Sequence, residues 1–231
     1  MAVRSERFGK VGVIALDRPE KAHAYDREHL DLLLAAARAL VEACPAIVIQ
    51  STGDRAFCGG ADLDAMAGAS PLDALELHSQ RTFTALARLP AVLVAAVQGA
   101  AVAGGFELAL ACDLRVAGPK ARFSLPETKL GILPSAGGTT RLARLVGVAR
   151  AKAVILGGES LDAAAALAWG AVSRVADDPR AAALAWATEI ADRDPAALRL
   201  AKETIDAEES VAGLARERTV EAILYARKGA R

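Results

Sequence analysis

The chain has 231 residues, with 28 basic and 28 acidic side chains that leave no formal net charge. That balance argues against a nucleic-acid or anionic-membrane partner, and no apolar run reaches the roughly 20 residues a membrane span needs. At 53% hydrophobic and only 4% aromatic, the chain can bury one sizeable core built from aliphatic side chains and alanine.

The first residues carry Arg4, Glu6, Arg7 and Lys10, which is not the pattern of a signal peptide. Val11–Leu16 reads as a strand closed by Asp17-Arg18-Pro19. Asp26 is the expected N-cap of a helix that places Leu30, Leu33, Leu34, Ala37, Leu40 and Val41 on one face. Pro45 ends that helix, and residues 47–49 form a short buried strand. Residues 51–61 read as a loop rich in small side chains, and residues 71–88 as a helix stopped near Pro90. Val92–Val97 is the next buried strand, turned by Gln98-Gly99 into a glycine-rich segment. A helix is expected over residues 107–111, then strands at 114–116 and 121–123 joined through Gly118-Pro119. From about Thr139 the pattern is helical, with one short strand at 172–175. Asp194-Pro195 marks another helix start, an N-cap followed by proline at the first helical position. Strands alternating with helices predict an α/β core of crossover units with a helical C-terminal tail.

Several chemistries find no support. There is no G-x-G-x-x-G after a strand, no P-loop, no G-x-S-x-G and no C-x-x-C. Cys44, Cys58 and Cys112 are an odd number without metal-ligand spacing, and we read them as reduced thiols of a cytoplasmic protein. His23, His29 and His78 form no ligand cluster, so no metal is expected, and each is read as a surface or helix-face residue. Glu76 is assigned to a polar helix face.

Two carboxylates stand out. Glu107 lies within Ala103-Gly104-Gly105-Phe106-Glu107-Leu108-Ala109-Leu110-Ala111, a stretch with no other charge. Glu127 follows Ser124-Leu125-Pro126, ahead of a second glycine pair, Gly137-Gly138. Apolar surroundings raise a carboxyl pKa, and two close carboxylates push their values apart, so one can act as acid and the other as base. That pairing suits adding water to a polarised double bond, or moving a proton along one. Glycine lets a ligand approach the backbone, and an N–H at a helix start can hold a developing oxyanion. The loop Phe57-Cys58-Gly59-Gly60-Ala61-Asp62 can supply a second such N–H. A lone Gly-Gly is more often an ordinary tight turn.

These residues carry a resemblance. Val13-Ile14-Ala15-Leu16-Asp17-Arg18-Pro19, Gly53-Asp54-Arg55-Ala56-Phe57-Cys58-Gly59-Gly60-Ala61-Asp62-Leu63 and Gln98-Gly99-Ala100-Ala101-Val102-Ala103-Gly104-Gly105-Phe106-Glu107-Leu108-Ala109 occur in that order. Phe123-Ser124-Leu125-Pro126-Glu127, Gly131-Ile132-Leu133-Pro134-Ser135-Ala136-Gly137-Gly138-Thr139 and Ala168-Trp169-Gly170-Ala171-Val172 follow. Together they resemble the enoyl-CoA hydratase/isomerase (crotonase) superfamily from about Val11 to the chain end.

The resemblance implies a spiral of ββα units over residues 1–177 and a C-terminal helical, oligomer-forming region over 178–231. It implies a homotrimer or hexamer, with Leu198, Leu200, Ile205 and Leu214 among the residues available for packing. Ala61 and Gly104 would donate N–H groups to a thioester oxygen, and Glu107 and Glu127 would hold a water between them. Lys21, Ala24, Asp62 and Leu63 are the implied substrate-binding positions. The implied substrate is an acyl-CoA thioester, with coenzyme A part of the substrate and no separate cofactor. Keeping both glutamates favours hydration of a 2-enoyl-CoA; the alternatives are Δ3-Δ2-enoyl-CoA isomerisation on the same site, or a weakly active acyl-CoA-binding subunit. Ser135 stands where dehalogenase relatives carry an aspartate nucleophile, which disfavours that chemistry. The chain departs from the family pattern at His23, usually asparagine, and at Ala103, usually the first of three glycines. It departs also at Leu63-Asp64, near which some relatives carry a lysine for the CoA phosphates. It ends near Arg231 on a basic tail, before the helix that in many relatives covers the CoA adenine, so a looser grip on the nucleotide is expected.

Overall fold

Residues 46–51 and 92–97 are apolar at nearly every position, which suits central parallel strands covered on both faces. The protein was analysed as a computed structural model that describes residues 3–66 and 76–206, together with residues 218, 219, 222 and 226. One sheet has six strands: β1 (Val3–Phe8), β2 (Val11–Leu16), β3 (Ala46–Ser51), β5 (Val92–Val97), β7 (Leu114–Ala117) and β10 (Arg174–Val175), in that order. A second has four: β4 (Ala56–Cys58), β6 (Ala100–Val102), β8 (Arg122–Ser124) and β9 (Leu161–Asp162). The helices are α1 (Arg27–Val41), α2 (Leu63–Met66), α3 (His78–Ala87), α4 (Gly104–Ala111), α5 (Gly138–Val146), α6 (Val148–Ile155), α7 (Ala163–Ala168), α8 (Pro179–Ala191) and α9 (Pro195–Asp206).

The strands come in successive pairs. β3 is followed by β4, β5 by β6, and β7 by β8, and each pair steps one place along both sheets through parallel pairing. Helical segments follow each pair, so the backbone climbs as a spiral of ββα turns, the architecture expected. Alternation along the strands sorts the core into two faces. Ile47, Ile49, Leu93 and Val97 join the inner cluster with Leu33, Phe83, Phe106 and Leu108. Ala46, Val48, Val94 and Ala96 face the other way, onto Ala183, Ala187 and Ile190 of α8. Two alanines at the contact let α8 lie close to the sheet.

Local signals account for most elements. Asp26 caps α1, its carboxylate accepting from His29 N–H at 3.1 Å, and Leu30, Leu33 and Ala37 are buried as the periodicity predicts. Asp194 accepts from Ala197 N–H at 2.7 Å at the start of α9. Four strands went unforeseen. β1 buries only Val3, so it shows no apolar alternation. β4 and β6 are three-residue strands inside segments read as loops, and β9 is a two-residue strand inside a stretch read as helical. Helix α4 begins at Gly104 rather than at Glu107, because its first turn is glycine. The expected helix over 71–88 is described from His78 onward; its earlier part, Leu214 and the basic residues Arg227, Lys228 and Arg231 lie outside the described residues. Among the described residues no helix is long and apolar enough to cross a membrane.

Helix α9 is fastened to the spiral by one buried cation. Lys202 is 9% exposed and donates to Ala91 O at 3.0 Å and Asp113 Oδ2 at 2.8 Å. Asp113 also accepts from Leu93 N–H at 2.7 Å. Burial pushes the Asp113 carboxyl up, and Lys202 and Leu93 N–H oppose that. Removing one partner of such a pair leaves the other charge stranded. Lys202→Ala is expected to lower stability by about 3 kcal/mol, the low end for a broken buried pair, read as a lower urea midpoint. Lys202→Arg, which keeps the charge, should recover part of the loss.

Candidate active site

Helix α4 starts where two backbone segments touch. Ala103, its N-cap, has φ 53 and ψ −129, a region that non-glycine residues rarely occupy. A Cβ on Gly105 would overlap Cys58 O, and one on Gly60 would lie 3.1 Å from Gly104 N. The loop after β4 and the first turn of α4 therefore meet with no side chain between them. Tyr25 holds that loop in place: its N–H donates to Gly60 O at 2.9 Å, and its carbonyl accepts from Asp62 N–H at 2.8 Å. Ala61 sits between those two bonds, in a parallel bridge to Tyr25. Among the described residues no acceptor takes the N–H of Ala61 or of Gly104. The Gly104 N–H also lies at the partially positive end of α4.

Glu107 is one turn further along α4, on the same face as Gly104. It is 3% exposed, and its Oε1 accepts from Ala136 N–H and Gly138 N–H, both at 2.8 Å. Arg141, also buried, steadies the donor loop by donating to Ala136 O at 2.9 Å. Two N–H groups already point at Oε1, so any proton carried by Glu107 sits on Oε2. Glu127 opens a 3-10 turn, Glu127–Leu130, just after β8, and is 6% exposed. β8 lies beside β6, and Ala103 N–H donates to Ser124 O at 2.9 Å, so Glu127 is delivered to the start of α4. The charges of both glutamates bear on the phenol of Tyr25. The two carboxylates and both backbone donors singled out in the sequence thus converge around Tyr25, a residue the sequence reading passed over. The donors Ala136 and Gly138 and the buttress Arg141 were missed too, although the Gly137-Gly138 pair marked their loop.

The enoyl-CoA hydratase/isomerase family model matches residues 6–230. The chain belongs to that family. It is 40% identical over 204 residues to a probable enoyl-CoA hydratase of Mycobacterium bovis, covering 87% of this chain and 79% of the relative. It is 39% identical over 226 residues to the 2,3-dehydroadipyl-CoA hydratase of Escherichia coli, covering 95% and 89% of the two chains. Among solved structures, Pseudomonas aeruginosa DspI superposes with a TM-score of 0.85 at 35% identity, over 99% of this chain and 93% of the other. An enoyl-CoA hydratase from Bacillus anthracis gives a TM-score of 0.86 at 32% identity, over 99% and 92%. The protein is an enzyme with the crotonase fold of those hydratases.

The remaining positions implied by the family pattern gather on one rim of the site. Arg18 pairs with Asp62 at 3.0 Å and donates to Ala24 O at 3.1 Å. Lys21 pairs with Asp64 at 2.6 Å and lies 3.7 Å from Asp62. Burial opposes ionisation of Asp62, but Asp64 N–H, Lys21 and Arg18 outweigh it and hold the carboxyl below its usual range. The Asp62 carboxylate is thus already engaged, while Leu63 is 67% exposed and Lys21 reaches solvent. A cavity of about 830 Å³ lies elsewhere, between α9 and the α4–α5 pair. Leu110, Asp113, Arg141 and Leu198 are among its walls and neither glutamate is, so size does not mark the reactive site.

His23 requires a correction. It is no surface residue: it is 4% exposed, with φ 57. Its Nδ1 lies 3.1 Å from Arg18 N, and an amide can only donate, so Nδ1 is unprotonated and Nε2–H donates to Thr52 O at 2.9 Å. The His23 carbonyl accepts from the Cys58 thiol at 3.2 Å. Both imidazole nitrogens thereby brace the segment that ends in Tyr25. His29 and His78 do lie on helices, beside Asp26 and Asp31.

Two stability predictions follow from this backbone. Ala103→Gly should release strain of about 1–3 kcal/mol against a chain-entropy loss of about 0.5–1, for a net gain of about 1 kcal/mol. The urea midpoint should rise with an unchanged slope. Burial lowers the His23 pKa below its ordinary value of 6.5, so the unfolded chain takes up the proton first. The contribution of His23 is therefore complete above about pH 6.5 and is lost as pH falls below it. Urea midpoints taken from about pH 7.5 down to pH 5 should decline more steeply for the wild type than for His23→Asn.

Proposed function

We propose that the protein adds water across the 2,3 double bond of a 2-enoyl-CoA. The observation that carries this reading is the placement of Glu107: buried, one turn from Gly104, with Oε1 fixed by two backbone N–H groups. A carboxylate so anchored is fixed in orientation, at a distance from the helix start set by a single turn. The N–H groups of Ala61 and Gly104 take the thioester oxygen and draw electron density from C3. Glu107 and Glu127 hold a water: one carboxylate removes its proton as oxygen bonds to C3, and the other, protonated, delivers a proton to C2. The atoms balance as enoyl thioester plus water, so no cofactor is required beyond the CoA of the substrate. Lys21 and Ala24, on the rim, lie on the nucleotide side in this reading. Apolar side chains left exposed on α9, Leu200 at 54% and Ile205 at 68%, are surface that a trimer would cover.

The test is the loss of enoyl-thioester absorbance with crotonyl-CoA. Glu107→Gln and Glu127→Gln should each lower turnover roughly 10²–10⁴-fold, the usual effect of removing a general acid or base. Oxygen from labelled water should appear in the product, which double-bond migration alone would not produce. Wild-type activity indifferent to both substitutions would defeat the proposal.

A further inference from the structure

Tyr25 does more than its backbone bonds require. Its ring is buried, edge-on to Phe83 at a centroid distance of 5.7 Å, and its hydroxyl lies near Ser79 of α3. That hydroxyl lies directly over the Cα of Gly104: a Cβ at position 104 would overlap it. The glycine that supplies one oxyanion donor is therefore also the glycine that makes room for a phenol. The backbone of the same tyrosine brackets Ala61, the other donor. One residue thus touches both halves of the oxyanion hole and ends in an O–H group beside it.

A purely apolar side chain would fill that space without a polar group to satisfy. A buried hydroxyl costs roughly 1–3 kcal/mol unless it is hydrogen-bonded, so its presence there has to be compensated. The Ser79 hydroxyl nearby can serve one side of it, and a phenol both donates and accepts, so a second partner can be served. Burial and the nearby Glu107 hold the phenol well above its ordinary pKa, so it keeps its proton and remains a donor.

We infer that the Tyr25 hydroxyl is a third substrate-contacting donor, hydrogen-bonding the thioester oxygen beside the N–H groups of Ala61 and Gly104. It acts where negative charge develops, so it counts most in the transition state. The inference rests on the proposed acyl-CoA site, and its test separates the two. Tyr25→Phe removes the oxygen and keeps the ring. With crotonyl-CoA it should lower kcat roughly 10- to 100-fold, the low end for a lost oxyanion donor because two others remain, with KM changed much less.

The second readout does not depend on hydration. Acetoacetyl-CoA has an acidic methylene between two carbonyls; its enolate is followed by ultraviolet absorbance, and oxyanion donors should favour that form. Tyr25→Phe should raise the pH at which the bound ligand ionises by about one unit, a tenfold loss of preference for the oxyanion. Thermal unfolding of the variant should match wild type. If Tyr25→Phe fails to fold, Ser79→Ala tests the same hydroxyl from its other side and should move both readouts in the same direction by a smaller factor. A kcat within twofold of wild type together with an unmoved enolate titration would overturn the inference and leave Tyr25 a packing residue. A wild type that ionises bound acetoacetyl-CoA but hydrates nothing would defeat the hydratase reading and leave Tyr25 to be judged by the enolate alone.

Discussion

The loop after β4 and the first turn of α4 pack backbone to backbone, and the site depends on that contact. Side chains at Gly60, Gly104 or Gly105 would push them apart, since each added Cβ would meet main chain or the Tyr25 hydroxyl. Only at that separation can two N–H groups address one oxygen. The strand pairs of the spiral set the approach, because β4 and β6 are parallel neighbours whose C-terminal ends lead into the two segments. Ala103, held at positive φ, turns the chain from β6 into α4 and stores strain in doing so.

Several of the buried charges among the described residues are met by named partners. Glu107 leans on two backbone donors, Asp62 on Arg18, and Asp113 on Lys202. Arg115, 4% exposed, donates to Ala109 O at 3.3 Å, Cys112 O at 2.6 Å and Ala171 O at 2.8 Å. Ala109 and Cys112 lie at the C-terminal end of α4, where a cation complements the helix dipole. The helix thus has a fixed positive charge at its far end and open donors at its near end. It is electrostatically finished on the side away from the chemistry and unfinished on the side that faces it.

What the sequence disclosed follows from range. Long apolar runs and local caps declared β2, β3, β5, α1 and the start of α9, because those signals lie within a few residues of one another. Glu107 and Glu127 announced themselves as acids in apolar company. β1, β4, β6 and β9 stayed hidden: one buries a single residue, and the others are too short to show a period. Tyr25 and His23 were illegible for another reason. Each sits in a short polar turn that reads as surface, and its importance comes from partners as distant in the chain as Gly104 and Thr52. Ala136 and Gly138 act through their N–H groups, which every residue but proline possesses, so no side-chain pattern could single them out.

Backbone donors and side-chain acids respond differently to mutation over generations. A codon change replaces a side chain and leaves the amide N–H where it was. The donors of Ala61 and Gly104 are therefore sheltered from ordinary point mutation so long as the backbone path survives, whereas either glutamate can be exchanged in one step. In the proposed reaction, a lineage carrying this fold would inherit a means of polarising a carbonyl and be free to vary the acids and bases placed around it. The part of that catalyst hardest to invent would also be the part hardest to lose.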